Sequence, residues 1–172
     1  MGLREVRKEL ESMEKHMLIH HISEVYKRYP EVKEYFDFYA DPDEEKLLDR
    51  YKTVIYQAFY PTRGKKPKFY KARKALNAFK KIAVSPEVEA ALLIYYVQVA
   101  IMYARDRKPG TESFYTKIES SFRTALEYLE KHELLAEFEQ ECAEMTERTQ
   151  GLLSPTYMHM SSIRERFYGA SS

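Results

Sequence analysis

A basic stretch in the first half of the chain is the clearest candidate for chemistry. The sequence FYPTRGKKPKFYKARKAL, residues 59–76, carries seven cations and four aromatic rings and holds no carboxylate. The cations are Arg63, Lys65, Lys66, Lys68, Lys71, Arg73 and Lys74. Such a segment can neutralise backbone phosphates while exposed rings stack on bases, or it can meet an acidic protein surface. A third interpretation is a solvated face that only keeps the protein soluble.

The distribution of charge favours a protein surface over nucleic acid as the partner of this stretch. No acidic residue lies between Asp49 and Glu87, so residues 50–86 carry a charge of +11 and the remainder of the chain carries −10. Ten glutamates are concentrated in residues 112–147. The pI near 7.8 is lower than that of a usual nucleic-acid-binding domain. We therefore expect residues 63–74 to meet an acidic protein surface, either the glutamate-rich helices of the same chain or those of a partner or a second copy, with sequence-nonspecific nucleic-acid binding as the alternative.

A histidine-rich stretch, HMLIHH at residues 16–21, offers a second and weaker site. His16 and His20 are four residues apart, which places both imidazoles on one face of a helix, and Glu24 follows one turn later. A tetrahedral metal site needs three or four protein ligands, and the sequence does not indicate the others. Surface histidines on an amphipathic helix are the ordinary interpretation, so we expect neither a metal nor a cofactor.

Nucleophilic catalysis finds no support in the sequence. Cys142 is the only cysteine and shares a helical stripe with Phe138 and Met145, which predicts an inert thiol in the core. A single cysteine cannot form an intrachain disulfide, which fits a reducing cytoplasm. With five glycines in the chain, neither a Walker A loop nor a dinucleotide-binding fingerprint can be found. These features favour a protein that is not an enzyme.

The elements that must position these residues are predicted to be helices. Asp41, Pro42 and Glu44 have the spacing of a capping box with proline at the first helical position. The pairs Ser85–Pro86 and Ser154–Pro155 repeat the serine-cap and proline device. Apolar stripes at helical spacing follow. Four of them comprise Leu47, Leu48, Tyr51, Val54, Ile55, Ala58 and Phe59; Phe69, Ala72, Leu76, Phe79 and Ala83; Phe114, Ile118, Phe122, Ala125 and Leu129; and Leu135, Phe138, Cys142 and Met145.

These patterns predict an all-α fold of seven or eight helices, arranged as stacked antiparallel hairpins in a solenoid-like or more compact form. We expect a single domain over residues 1–172, with a short helix in residues 1–12 and a loosely docked C-terminal helix in residues 150–172. Proline at position 30 interrupts the second helix. The most apolar run, residues 88–104, is short of a membrane span and contains Glu89 and Gln98, so it predicts a central buried helix and no membrane contact.

The order of several motifs is similar to that of a known family. VKEYFDFYADPDEEKLLDRYK, then KPKFYKARKALNAFKK, then SPEVEAALLIYYVQV, then FYTKIESSFRTALEYL resembles an uncharacterised family of small bacterial proteins, a family of domains of unknown function. The resemblance covers roughly residues 13–145, and the segment from Gln150 onward departs from it. It implies a bacterial, cytoplasmic, helical domain and supplies no activity, ligand or catalytic residue. From the residues themselves we expect a helical interaction domain.

Overall fold

The computed structural model describes residues 2–62, 66–82, 84–153 and 155–169. Within these ranges the chain forms nine α-helices and no strand, so the predicted all-α class is confirmed. The helices are α1 Leu3–Glu11, α2 Lys15–Arg28, α3 Pro30–Ala40, α4 Glu44–Phe59, α5 Phe69–Phe79, α6 Pro86–Arg107, α7 Glu112–Lys131, α8 Glu139–Glu147 and α9 Thr156–Tyr168.

The helix that exceeds the predicted number is α3. Pro30 was expected to interrupt the preceding helix, and it does end α2, but it also occupies the first position of α3. Proline is well suited to that position because its fixed φ is helical and the amide hydrogen that it lacks would have had no intrahelical partner. A proline therefore marked a boundary between two helices and not a loop.

Contacts divide the chain into two compact units, Met1–Asp43 (unit 1) and Glu44–Ser172 (unit 2). In unit 1, helix α2 packs on α3. Polar contacts join them, because the Tyr26 hydroxyl donates to Asp37 Oδ1 at 2.6 Å and accepts from Lys33 Nζ at 2.8 Å, while Lys33 also donates to Asp37 Oδ2 at 2.8 Å within α3. These partners raise the pKa of Lys33 above its ordinary value. None of the described residues of unit 1 is fully buried, so this unit has little apolar core of its own.

Unit 2 is built around α6. Consecutive helices pack in the pairs α4–α5, α6–α7 and α8–α9, and α6 also contacts α4, α5 and α8. Ten side chains of α6 are buried, which confirms the prediction of a central helix from the apolar run at residues 88–104. Among the described helices, only α6 is long and apolar enough to cross a membrane, and 56% of its apolar window lies inside the structure. The core helix of a soluble protein has the same character.

The start of α4 differs from the predicted capping box. Helix α4 begins at Glu44, and Asp41 is the residue that caps the C-terminus of α3. The Glu44 carboxylate accepts hydrogen bonds from the backbone N–H and the hydroxyl of Ser85, at 2.5 and 2.6 Å. Ser85 is the N-cap of α6, as the sequence predicted, but its hydroxyl donates to Glu44 and does not cap its own helix. The acidic side chain thus stabilises the N-terminus of a helix 41 residues further along the chain.

Helix α9 packs on α7 and α8 within unit 2. It buries Thr156, Met160 and Ile163, and the Tyr168 hydroxyl donates to the Leu135 carbonyl at 3.0 Å. A further contact joins His159 Nδ1 and Glu119 Oε2 at 3.0 Å. The helix begins one residue later than predicted, since Pro155 is the N-cap and Thr156 the first helical residue; Ser154 lies outside the described residues.

Candidate functional site

The predicted basic site lies at the start of α5 and in the loop before it. Arg63 and Lys65 lie outside the described residues. Lys66 and Lys68 precede α5, and Lys71, Arg73 and Lys74 are on it; all five are exposed. The Lys68 N–H donates to the Ala58 carbonyl at 2.8 Å, which fixes the start of α5 against the end of α4. Within the described part of the chain, none of these five cations forms an ion pair with a carboxylate.

The cations of α5 form a band around its outer half and not one flat patch. Two residues of a helix advance by about 200°, so Lys71 and Arg73 lie on opposite flanks of α5. Lys74 lies between these flanks, together with Tyr70, whose side chain is 60% exposed. The opposite side of the helix buries Ala72, Ala75, Leu76 and Phe79. Arg73 is therefore separated from Lys71 and lies beside a groove on the flank of α5.

The predicted metal ligands are not brought together. The nearest carboxylate to His16 is that of Glu14, at 3.2 Å from its Nδ1, and Glu24 pairs with Lys27 at 3.2 Å. The hydrogen bond from Lys27 lowers the pKa of Glu24. The ring of His20 contacts that of His21. Across the residues that the structure describes, no three His, Cys, Asp or Glu side chains cluster as metal ligands.

Cys142 lies fully within the core of unit 2, as its stripe predicted. Burial raises the pKa of its thiol to about 11. A thiol with so high a pKa carries almost no thiolate near neutral pH, so it is a poor nucleophile. The geometry therefore gives Cys142 a packing role.

The groove beside Arg73 is a cavity of about 330 Å³ between α5 and α7, over the face of α6. Rings close one end, where the Phe69 and Phe114 centroids lie 5.1 Å apart and Phe59 contacts Phe69 at 5.1 Å. Leu93, Tyr96 and Ala100 of α6 line the cavity as well. Its volume is at the lower end of the range for small-molecule sites, and an apolar cavity with a few polar groups is typical of them.

Polar side chains line the two walls of this groove. Those of the α5 side are Arg73, Asn77 and Lys80; those of the α7 side are Ser113, Lys117, Ser120, Ser121 and Thr124. The spacing on each side is helical, so each set forms a stripe along its helix. Among the described residues, no aspartate or glutamate lines the cavity. Lys80 lies 4.0 Å from Glu89, at the limit of an ion pair, so the groove carries a positive charge with little internal compensation.

Tyr96 is a mostly buried residue that lines this cavity. Its side chain is only 8% exposed, and it forms no hydrogen bond with any residue that the structure describes. Burial raises the pKa of Tyr96, and the charge of Arg73 opposes that rise. A hydroxyl without a partner within the protein is available to a bound molecule.

Two wider depressions on unit 2 are less suited to a ligand. Their volumes are about 690 and 860 Å³, and Arg105 and Asp106 line both. Arg105 Nη1 donates to the Arg148 carbonyl at 2.8 Å, and Asp106 accepts from the Tyr60 hydroxyl at 2.7 Å. Arg105 and Asp106 are thus engaged in bonds within the protein, whereas Arg73 and Lys117 of the groove form no ion pair with a described carboxylate.

A family model with the description "Family of unknown function (DUF6155)" matches residues 1–167. The chain belongs to the DUF6155 family. The match confirms the resemblance to an uncharacterised family and extends it, because the segment after Gln150 was expected to depart from the family and is covered up to residue 167. No curated protein and no solved structure shows significant similarity to this DUF6155 chain.

The sequence did not identify the groove, although Arg73 belongs to the predicted basic site. Lys80, Lys117, Ser120 and Ser121 belong to no site that the sequence predicts. A signal was present, since Arg73, Asn77 and Lys80 recur at helical spacing beside the buried stripe of α5. That spacing cannot show which helix faces the stripe.

Proposed function

We propose that this DUF6155 protein is a non-enzymatic helical domain that works through protein contact, and that the exposed lysines before and on α5 recognise an acidic protein surface. One observation carries the proposal. Lys66, Lys68, Lys71 and Lys74 are exposed and find no carboxylate within the described part of their own chain. Unpaired charges of one sign attract an oppositely charged partner and raise its rate of encounter.

A second copy of the chain offers a suitable acidic surface. Glu133 and Glu137 lie between α7 and α8, are exposed, and form no ion pair with the residues that the structure describes. Glu144 on α8 is exposed as well, although it pairs with Arg148 at 3.6 Å. The basic band of one copy and this acidic surface of another are complementary in sign, which supports self-association.

A charge exchange between two variants tests this proposal. We expect Lys71→Glu/Lys74→Glu and Glu133→Lys/Glu137→Lys each to weaken self-association by about tenfold or more, because each places like charges across the contact. An equimolar mixture of the two variants restores complementary pairs and should associate again. Analytical ultracentrifugation at low and high salt measures both effects, since salt weakens an electrostatic contact.

Two results would contradict self-association. A wild-type protein that is monomeric at every concentration and salt tested would exclude it, and the acidic partner would then be a different protein. Association that persists in both variants and at high salt would exclude the charged contact, whatever the oligomer. The exposed pair Lys27→Glu/Arg28→Glu in unit 1 serves as a control for the change in net charge.

Nucleic acid is the second candidate, and the exposed ring of Tyr70 favours it. This ring lies among the cations of α5 and could stack on a base while the lysines contact phosphates. Fluorescence anisotropy with labelled single-stranded RNA and DNA measures the binding. We expect affinity to fall steeply with salt, and to fall again in Lys66→Glu/Lys68→Glu and in Tyr70→Ala. Equal weak binding by the wild type and both variants would reject this function.

A bacterial source and a cytoplasmic location remain part of the proposal. The resemblance of the motifs supports the first, and the single buried cysteine supports the second.

A further inference from the structure

The cavity between α5 and α7 has the features of a site for a small organic anion. It joins an aromatic end, formed by Phe69 and Phe114, to walls that carry Arg73 and Lys117. Arg73 follows Phe69 by four residues and Lys117 follows Phe114 by three, so each cation lies about one turn from its ring. The two contacting rings fix the ends of α5 and α7 together, which brings both cations to the same part of the groove.

We propose that this cavity binds a small molecule with an aromatic body and one anionic group, a carboxylate or a phosphate. The aromatic body lies against Phe69, Phe114 and the α6 floor, where it replaces water on apolar surface. The anionic group lies between Arg73 and Lys117 and accepts charge-assisted hydrogen bonds from both. The volume of about 330 Å³ admits one such molecule but no folded segment of another protein.

Tyr96 gives the proposal independent support. It is more than nine-tenths buried, it lines the cavity, and it has no hydrogen-bond partner among the described residues. Asn77, Ser121 and Thr124 likewise form no side-chain hydrogen bond with the described residues, although they line the same walls. Ser121 is partly buried, whereas Asn77 and Thr124 are exposed, so all three are free to exchange water for a ligand. A ligand that carries oxygen atoms would satisfy several of these groups together.

The site is separate from the contact proposed for Lys66, Lys68, Lys71 and Lys74, although Arg73 is one of the cations of α5. Lys71 and Lys74 do not line the cavity, and Lys71 lies on the opposite flank of α5 from Arg73. Loss of self-association or of nucleic-acid binding would therefore leave this inference intact.

Binding of simple probes by the full chain tests the inference. Phenyl phosphate and phenylacetate supply an aromatic body with a phosphate or a carboxylate. Benzyl alcohol lacks the charge, and inorganic phosphate lacks the ring. Titrations followed by two-dimensional ¹⁵N–¹H NMR report both the affinity and the residues affected. We expect saturable binding of at least one aromatic anion, at least about tenfold tighter than either benzyl alcohol or inorganic phosphate, with shifts in α5, α6 and α7.

Matched variants separate the cavity from general charge. Arg73→Gln/Lys117→Gln should lower the affinity for the aromatic anion by about tenfold or more. Lys81→Gln/Arg123→Gln removes one lysine and one arginine that are exposed near the same helices but do not line the cavity, and should change affinity by less than about twofold. Tyr96→Phe should weaken binding about threefold or more without lowering the melting temperature, because the hydroxyl has no internal partner to lose.

The outcomes either support or overturn the proposal. Tighter binding of phenyl phosphate identifies the ligand class as a phosphate ester, and tighter binding of phenylacetate identifies it as a carboxylic acid. Both results support the proposed site. The inference fails if neither probe binds saturably or if inorganic phosphate or benzyl alcohol binds as tightly. It also fails if the Lys81/Arg123 variant loses as much affinity as the Arg73/Lys117 variant.

Discussion

Glu44 connects the beginnings of two helices that are adjacent in space but distant in sequence. It is the first residue of α4, and its carboxylate accepts both hydrogen bonds from Ser85 at the N-terminus of α6. The site is partly buried, so water replaces the carboxylate poorly when it is removed. A negative charge at a helix N-terminus is also favourable for the dipole of that helix.

Replacement of Glu44 should therefore destabilise unit 2. We expect Glu44→Ala to lower the free energy of unfolding by about 1–3 kcal/mol, because hydrogen bonds to a charged group are lost and Ser85 keeps unpaired donors. Glu45→Ala is the matched control, since Glu45 is exposed in the same turn, and it should change the free energy by less than about 0.5 kcal/mol. Urea denaturation followed by circular dichroism measures both. Equal changes in unfolding free energy for the two variants would show that the contact between Glu44 and Ser85 contributes nothing to stability.

Cys142 makes the stability of the fold depend on alkaline pH. Its pKa is about 11 in the folded protein because of burial, against an ordinary value of 9.0. As the pH rises, the unfolded chain loses the thiol proton first. The stability that this group contributes is thus fully present below about pH 9 and is lost as the pH rises through about 11.

We expect the free energy of unfolding of the wild type to fall by about 2–3 kcal/mol more than that of Cys142→Ala between pH 8 and pH 11. The small cavity left by alanine lowers the free energy of unfolding equally at both pH values. Only the difference between the two proteins in the slope of unfolding free energy against pH is therefore informative. Tyr128, with a pKa raised to about 12 by burial and Glu89, titrates in both proteins. Urea denaturation under reducing conditions gives the slopes, and parallel slopes would refute the assignment to Cys142.

At the scale of elements, apolar periodicity was a good guide in unit 2 and a poor one in unit 1. Phe114, Ile118, Phe122, Ala125 and Leu129 are all buried in α7, as their spacing predicted. On α1 of unit 1 the same spacing of Leu3, Val6 and Leu10 leads to no burial. Unit 2 has an exception as well, because Val54 on α4 is 42% exposed although it belongs to a predicted stripe. Periodicity shows which residues share a face of a helix, but burial requires a neighbour on that face.

Helix α9 shows what a docked face contributes. Met160 is fully buried, whereas Met158 on the same helix is 69% exposed. We expect Met160→Asp to lower the free energy of unfolding by about 3 kcal/mol or more, because it buries a charge without a partner. Met158→Asp should be nearly neutral. Chemical denaturation compares the two; similar small effects would mean that α9 is not held on α7 and α8 in solution.

At the scale of the whole molecule, the sequence predicted one domain, and contacts within the structure define two units. The fully buried residues among those described all lie at or after Leu47. Amide hydrogens exchange slowly where helices are held by buried contacts and quickly where opening is local. Amide hydrogen exchange therefore measures whether unit 1 is as stable as unit 2.

Hydrogen exchange followed by mass spectrometry should divide the chain near residue 43. We expect amides of α1, α2 and α3 to exchange at least about a hundredfold faster than those of α6 and α7, because local opening of unit 1 exposes little apolar surface. The measurement uses the protein at neutral pH with no added ligand. Equal protection across the chain would instead support the single domain that the sequence predicted.

Composition and spacing by themselves determined the helical class, the central place of residues 88–104, the charge of the basic stretch and the inert position of Cys142. These depend on local properties: helix caps, periodicity of 3.6 residues and the cost of burying charge. Only the tertiary structure decided that Glu44 contacts Ser85 and that Arg73, Tyr96 and Lys117 line one cavity. The reason is physical, because a helix presents its stripes at every angle, and packing among α5, α6 and α7 selects the stripes that meet.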